Sequence, residues 1–558
     1  MTTDTPRYSI GLDFGTESAR AVLVNLADGD IAATCVEKYR HGVMDRALPD
    51  GTKLGHEWAL QHPHDYLDVT EQTVRAVLAE AGVQPEQVVG IGVDFTACTI
   101  LPVDDENVPL CIKSEFAGEP NAWVKLWKHH AAQPQADWIN EIATDRGEKW
   151  LAVYGYRLSS EWVLPKVLQI VEESPEVYDA AARIIEAGDW LVQQLTGSSV
   201  RSSCNAGYKA CYVKGEGFPS RAFLHTLNPR LEDFYETRMA GDILAPGDLA
   251  GGLTPAWADR LGLAVGTPVA VEIIDAHAAV PGCGVSEPDD MVLVMGTSTC
   301  HMLMSDQRAF VPGVAGVIED GILPGYFGYE AGQSAVGDHF AWLVSQGLPD
   351  EYRQEAEQRG ISPHELLSEK AAAQAVGQHG LLALDWWNGN RSILMDADLS
   401  GLIVGYTLAT RPEDVYRALI EATAYGTRVI IEEFERHGVR VRNLVAAGGL
   451  VRNDLVMRIY ADVLNRPMQI ATTEYTSAVG AAVLGAVAAG GGDGGYDSIG
   501  EATAHMVRPP ARVFEPDDAV AEVYNELYGA YLELHDHFGR DGTDVMQRLR
   551  NIRANARE

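Results

Sequence analysis

The sequence predicts an α/β protein built as two domains of similar plan around a cleft. Three observations carry this. Apolar strand-like segments alternate with helical periodicity along most of the chain. A length of 558 residues exceeds what one core organises and fits two domains with extensions. A strand–turn–strand unit also occurs twice. It is Tyr8-Ser-Ile-Gly-Leu-Asp-Phe-Gly-Thr-Glu-Ser-Ala-Arg-Ala-Val-Leu-Val24 near the start, and Met291-Val-Leu-Val-Met-Gly-Thr-Ser-Thr-Cys-His-Met-Leu-Met304 past the middle.

After the first unit, the Asp28-Gly29 turn leads to a strand over Asp30–Tyr39, then a helix over Tyr66–Ala81 and a strand over Val88–Asp94. Residues Asn121–Thr196 read as largely helical, with Trp, Leu and Ile at three- and four-residue spacing and with Pro120 and Pro165 as punctuation. A strand over Pro268–Ile274 runs through Asp275 to Pro281-Gly-Cys-Gly284, whose small residues read as a flexible boundary. In the second half, Thr410-Arg-Pro-Glu413 reads as a capping box, with proline in the first turn where its missing N–H costs nothing. The helix it opens sets Val415, Leu419, Ala422 and Val429 on one face and stops at Gly438. A strand over Asn443–Ala447, the pair Gly448-Gly449, a helix to about Leu464, a strand over Pro467–Thr472 and a helix of small residues over Ser477–Ala489 follow. The run Gly490–Gly495 reads as a linker, and Asp517–Arg553 as a peripheral helical region. The expected domains are 1–284 and 285–495, with a helical extension over 496–558.

Composition excludes several classes of function. A formal net charge of −36 argues against a nucleic-acid partner, because phosphate backbones are held by basic patches. An anionic nucleotide would have to be received by backbone dipoles, a metal and a few basic side chains. No apolar run reaches the ~18 residues of a membrane span, and the polar start Met1–Arg7 has no signal-peptide pattern. Seven cysteines without framework spacing read as buried thiols in a reducing cytoplasm. Zinc spacings, the Gly-x-Gly-x-x-Gly dinucleotide fingerprint in the first unit and the P-loop are all missing.

The duplicated turns are where phosphate chemistry fits. In Asp13-Phe-Gly-Thr16, Gly15 and Thr16 turn the backbone toward a phosphate, and Asp13 is placed to hold Mg2+ through water. The plain alternative is a turn in which Asp13 bonds its own loop. Gly296, Thr297 and Ser298 begin a glycine-then-hydroxyl turn suited to terminal phosphates. Gly448 and Gly449 permit the close backbone approach that an adenine or its ribose needs. Phosphoryl transfer to an alcohol requires a group that orients the hydroxyl and accepts its proton. Asp275, at a strand end beside the glycine-rich boundary, is the candidate, ahead of His277 and Glu272.

The paired hairpins resemble the actin-like ATPase superfamily, with its ribonuclease-H-like domains. Further stretches narrow the resemblance to the FGGY carbohydrate kinases. Gly401-Leu-Ile-Val-Gly405 with Asp414-Val-Tyr-Arg-Ala-Leu-Ile-Glu421 resembles the second FGGY signature, although Tyr406 replaces an aliphatic residue. Trp162-Val-Leu-Pro-Lys-Val-Leu-Gln169 resembles the first, with Gln169 in place of tryptophan, a departure shared by the family's ribulose kinases. Asp94–Thr99, Leu323–Ser334 and Asp385–Arg391 resemble that ribulose-phosphorylating branch, and the likeness covers roughly residues 8–490.

The resemblance implies ATP- and Mg2+-dependent phosphorylation of the 5-hydroxyl of L-ribulose, in L-arabinose breakdown. It implies Asp275 as catalytic base and Ala97, Trp127, Lys209 and Glu330 around the sugar. A cytoplasmic homodimer with no membrane or nucleic-acid partner is expected. Kinases of D-ribulose, xylulose or glycerol are the near alternatives. The rivals from other classes are a shape-switching actin-like ATPase and a solute-binding or dehydrogenase-type α/β protein.

Overall fold

The computed structural model describes residues 5–510, 512–540 and 542–556. Its two principal sheets share one plan. In the first, the strands Tyr8–Phe14, Ser18–Asn25 and Ile31–Lys38 form an antiparallel meander. Tyr8–Phe14 then pairs in parallel with Val88–Phe95, which in turn pairs in parallel with Pro268–Ala270 and Ile273–Ile274. The edge strand is Leu249–Gly252. In the second sheet, Asp290–Met295, Thr299–Ser305, Phe327–Gln333 and Gly316–Glu319 are antiparallel neighbours. Asn443–Ala447 and Met468–Ile470 extend Asp290–Met295 in parallel, and Arg512–Phe514 closes that edge. The chain therefore folds as two α/β units with ribonuclease-H-like strand order, as expected.

Period-two burial explains only part of the first sheet, because its central strands are buried on both faces. One face is covered by the helix Pro63–Ala81 through Tyr66, Val69, Val74 and Val77. The other is covered by Thr476–Ala489, a helix contributed by the second half of the chain. Glycines in the strands bring that helix down to backbone contact. A Cβ at Gly92 would lie 1.7 Å from the Ala481 carbonyl oxygen, and one at Gly11 would lie 1.8 Å from that of Ala478. The helix Asp275–Gly282 crosses the same helix equally closely, with Gly480 against the Ala278 carbonyl and Gly282 against that of Thr476. Small residues at a helix crossing let the backbones approach until van der Waals contact is continuous.

Several expectations are corrected. The strand predicted over Pro268–Ile274 is broken at Val271-Glu272. Pro281 and Gly282 belong to a helix packed on Thr476–Ala489, so this stretch is a tight contact and not a flexible joint. The second-half helix starts at Pro412 with Arg411 as its cap, and the Asp414 carboxylate accepts from the Arg411 N–H at 2.8 Å, one residue later than expected. The C-terminal region is not peripheral. Its helix Asp518–Gly539 buries Tyr524 and Tyr531, whose hydroxyls donate to Glu421 at 2.9 Å and to Asp385 at 3.0 Å. The run Gly490–Gly495 holds a 3-10 turn at Gly491–Asp493, with Gly495 close to the Ala486 carbonyl. Of the cysteines, Cys35 and Cys300 are only half-buried, and all seven are free thiols.

Candidate active site

Each hairpin turn is braced in the same way. In the first, the Gly15 N–H donates to Ser18 O at 3.0 Å. Tyr39 Oη donates to Gly15 O at 2.9 Å, and Gln61 Nε2 to Thr16 O at 2.8 Å. In the second, the Gly296 N–H donates to Ser298 O at 2.8 Å, while the N–H groups of Gly337 and Val336 donate to Gly296 O and Thr297 O at 3.0 and 2.7 Å. The turn carbonyls are thus occupied from behind. The N–H groups of Thr16, Glu17, Thr297 and Ser298 have no acceptor among the described residues. Successive free N–H groups on a fixed turn form an anion-binding concavity. Gly448, in the left-handed region at φ 93°, packs against the Met295 carbonyl and so sets the Gly448-Gly449 turn at the base of the second hairpin, while Gly449 has open space around its Cα.

Three carboxylates meet at the ends of adjacent parallel strands. Register pairs Asp13 with Asp94, and Asp94 with Ile273, two residues before Asp275. Asp13 is held by Arg20 Nη1 at 3.4 Å. Asp94 is completely buried, and neither carboxylate oxygen has an N–H or O–H donor. Burial and the charges of Asp13 and Asp275 push it well above the usual carboxylate range. Asp13 is raised by burial against the opposing pull of Arg20. Asp275 opens the helix Asp275–Gly282 and accepts from the Ala276 N–H at 2.7 Å. Burial and the nearby Asp13 charge lift it to about 7. Of these three carboxylates, Asp13 is the one paired with an arginine, Arg20.

The predicted sugar residues divide between two groups. Lys209 ends the short helix Ser203–Lys209 and is buried with Glu330, on the strand Phe327–Gln333, at 2.7 Å. Arg391 Nη2 reaches the other Glu330 oxygen at 2.7 Å. His277 Nε2 lies 3.6 Å from Glu330. Burial alone would raise Glu330, but Lys209, Arg391 and His277 outweigh it and hold the carboxylate at about 2. Trp127 is half-buried, and its Nε1 donates to Thr16 Oγ1 at 3.0 Å, which sets it beside the first hairpin. Ala97 lies on the loop after Asp94. That loop is tied to the Trp127 segment by buried Lys166, whose Nζ donates to Cys98 O at 2.7 Å and Leu126 O at 2.8 Å.

Sequence reasoning missed Asp94, Arg391 and Lys166. A buried lysine within the apolar stretch Val163–Val171 was the one visible signal. His277, the contender behind Asp275, is buried against Tyr208, and neither ring nitrogen makes a hydrogen bond. Glu272 is fully buried and accepts from Asn205 Nδ2 at 2.6 Å, away from the cleft carboxylates.

Comparison with known proteins bears on the family and the fold. Residues 8–282 match the N-terminal domain, and residues 291–489 the C-terminal domain, of the FGGY family of carbohydrate kinases. A ribulokinase from Halalkalibacterium halodurans is 53% identical over 552 residues, covering 99% of this chain and 98% of its own. A ribulokinase from Geobacillus thermodenitrificans is 54% identical over 553 residues, with 99% and 98% covered. Among solved structures, a xylulose kinase from Rhodospirillum rubrum superposes with a TM-score of 0.77 at 23% identity, covering 95% of this chain and 98% of that one. A gluconate kinase from Lactobacillus acidophilus does so with a TM-score of 0.78 at 17% identity, covering 96% and 99%. The fold is therefore shared by kinases of different sugars and does not itself select the substrate. Matched along both halves by the family's own domains, this chain belongs to the FGGY family of carbohydrate kinases.

Proposed function

We propose that the chain transfers the γ-phosphoryl group of ATP to the 5-hydroxyl of L-ribulose, as an Mg2+-dependent step of L-arabinose breakdown in the cytoplasm. The observation that carries this reading is the position of Asp275. It stands between the carboxylates at the first hairpin and the Lys209–Glu330 pair, lifted to about 7 by burial and by Asp13. A carboxylate near neutrality is matched to accepting a proton from an alcohol at physiological pH. The full-length likeness to ribulokinases supports ribulose as the acceptor.

In this reading residues 1–284 carry the sugar and the base, residues 285–495 carry the nucleotide and residues 496–558 brace the second half. Glu330 is kept ionised and accepts sugar hydroxyls, while Lys209 donates to the keto or hydroxyl oxygens. Trp127 presents its indole face to C–H groups, and Ala97 leaves room for the sugar. These contacts leave the terminal hydroxyl at Asp275. Its proton passes to an Asp275 carboxylate oxygen as the oxygen bonds to the γ-phosphorus and the bond from that phosphorus to the bridging oxygen breaks, releasing ADP, with the proton moving late if the transition state is loose. The free N–H groups at Gly15-Thr16 and at Gly296-Thr297-Ser298 receive the phosphates, and Gly448-Gly449 receives the nucleoside. Mg2+ held through Asp13 would neutralise charge on the phosphate oxygens. The working assembly in this reading is a homodimer.

The test is kcat/KM at saturating MgATP across L-ribulose, D-ribulose, L- and D-xylulose, ribitol and glycerol. L-ribulose should lead, with some activity on D-ribulose and ribitol. A series led by xylulose or glycerol overturns the choice of acceptor and leaves the kinase assignment standing.

A further inference from the structure

We propose that Arg391 is a further sugar-binding side chain, completing a three-residue recognition group with Lys209 and Glu330 that spans the cleft. The inference rests on the reading of this cleft as the sugar site. Its basis is how the second half of the chain builds a seat for one guanidinium. The Ser392 N–H donates to Gly332 O at 3.1 Å, and the Gly332 N–H donates back to Ser392 Oγ at 3.2 Å, which docks the end of the 385–391 segment on the strand Phe327–Gln333. Gly332 lies two residues along that strand from Glu330 and so shares its face. A Cβ at Gly332 would lie 3.3 Å from Arg391 Cδ and 3.4 Å from Nη1, so the arginine packs over a residue that has no side chain. The cross-strand partner of Gly332 is Cys300, which is half-buried.

From this seat a single nitrogen, Nη2, is bonded to Glu330. A guanidinium has five N–H donors in a planar fork, and the Arg391 side chain is 31% exposed while Glu330 is 4% exposed. The carboxylates near Arg391 come from both halves of the chain, Glu330 from the second and Glu161 from the first, and the thiols Cys300 and Cys98, kept neutral by burial, adjoin it as well. Cys98 adjoins Ala97. Lys209, Glu330 and Arg391 therefore present donors on both sides of one acceptor, a pattern that fits a polyol or ketose bearing several oxygens. Arginine also fixes direction in a way that lysine cannot, because its donors are coplanar.

The experiment measures sugar binding by calorimetry, and KM and kcat by coupled assay, for wild type, Arg391→Gln and Arg391→Lys with L-ribulose and its 1-, 3- and 4-deoxy analogues. Arg391→Gln should raise the L-ribulose KM and dissociation constant by about 10- to 100-fold, from the loss of a charge-assisted hydrogen bond of ~1.5–3 kcal/mol, with kcat within threefold and the ATP KM unchanged. For one deoxy analogue the same substitution should cost less than threefold, because the oxygen it reads is already gone. Arg391→Lys keeps a charge beside Glu330 and should keep the melting temperature, yet still bind sugar at least fivefold more weakly. Recovery of wild-type sugar affinity by lysine, or equal losses across every analogue, overturns the proposal and reduces Arg391 to a counter-ion for Glu330. A wild type that binds no pentulose overturns the sugar reading itself, which separates the two failures.

Discussion

Replacing Glu330 with glutamine tests whether the buried pair across the cleft holds the two halves together as well as reading the sugar. The change keeps the shape and one acceptor but removes the charge between Lys209 and Arg391. Its magnitude follows from the electrostatics. The carboxylate sits at about 2 instead of 4.5 because its cationic neighbours outweigh burial, which corresponds to roughly 3 kcal/mol of preference for the charged form at ~1.4 kcal/mol per pH unit. That agrees with the ~3–5 kcal/mol lost when one member of a buried pair is removed and its partner is left uncompensated. A depressed carboxylate stabilises the fold fully above its unfolded value and loses that contribution as pH falls through its folded value. Glu330→Gln should therefore lie about 3 kcal/mol below wild type at pH 7, and the gap should narrow only below about pH 4.5. For a domain of this size the expected shift in melting temperature is about 6–12 °C, read by calorimetry on the transition that changes. Lys209→Met and the double variant complete a cycle, in which the double should cost at least about 1 kcal/mol less than the sum because the orphaned lysine is gone. A Glu330→Gln protein within about 1 kcal/mol of wild type, with additive single effects, would refute the reasoning.

Asp275→Asn should lower kcat by ~10²–10⁴-fold, the usual contribution of a general base, with sugar affinity within a few-fold; a folded variant retaining more than about a tenth of wild-type turnover removes Asp275 from that role. Because burial and Asp13 hold Asp275 at about 7, kcat/KM for the sugar should fall as pH drops through that value and level off above it, and a flat profile between pH 5.5 and 8 is the contrary result. Gly92→Ala should destabilise the protein by at least ~1–3 kcal/mol, since its Cβ would lie 1.7 Å from the Ala481 carbonyl and backbone cannot swing away as a side chain can; chemical denaturation reads the effect, and an unchanged midpoint contradicts the backbone contact.

What could be read in the sequence was local, and what could not was set by register. The two hairpins were legible because a glycine-containing turn between apolar runs is a short-range signal, and both stand where expected. Asn443–Ala447 was found to the residue for the same reason. Asp94 was missed because a lone carboxylate after an apolar run carries no mark of its neighbours; only the parallel pairing of distant strands places it beside Asp13. Arg391 and Glu330 are likewise brought together by a segment docked through Ser392, which no periodicity announces. Pro281–Gly284 was misread in an instructive way. Glycine signals either freedom or close approach, and the crossing helix decides for approach. Gly11, Gly90 and Gly92 did carry the signal, since glycine within a strand marks a neighbouring backbone. The C-terminal helix looked peripheral because its buried face is mostly tyrosine, and the hydroxyls of Tyr524 and Tyr531 take Glu421 and Asp385 as partners.

The two kinds of contact between the halves differ in what they allow. The helices Asp275–Gly282 and Thr476–Ala489 meet through backbone atoms at Gly282 and Gly480, with no long side chains between them. A junction of that kind resists sliding, because a shift of even about an ångström drives carbonyl oxygens into neighbouring atoms, whereas a small rotation about the crossing point preserves contact. The Lys209–Glu330 pair joins a helix of the first half to a strand of the second by long side chains, which follow such a rotation and re-form. Asp275 begins the very helix that makes the close crossing. Thr476–Ala489 is itself in backbone contact with the first sheet at Gly11 and Gly92, so Asp275, that sheet and that helix form one closely packed unit. In the proposed reading, closure around sugar, and not nucleotide alone, would complete the site.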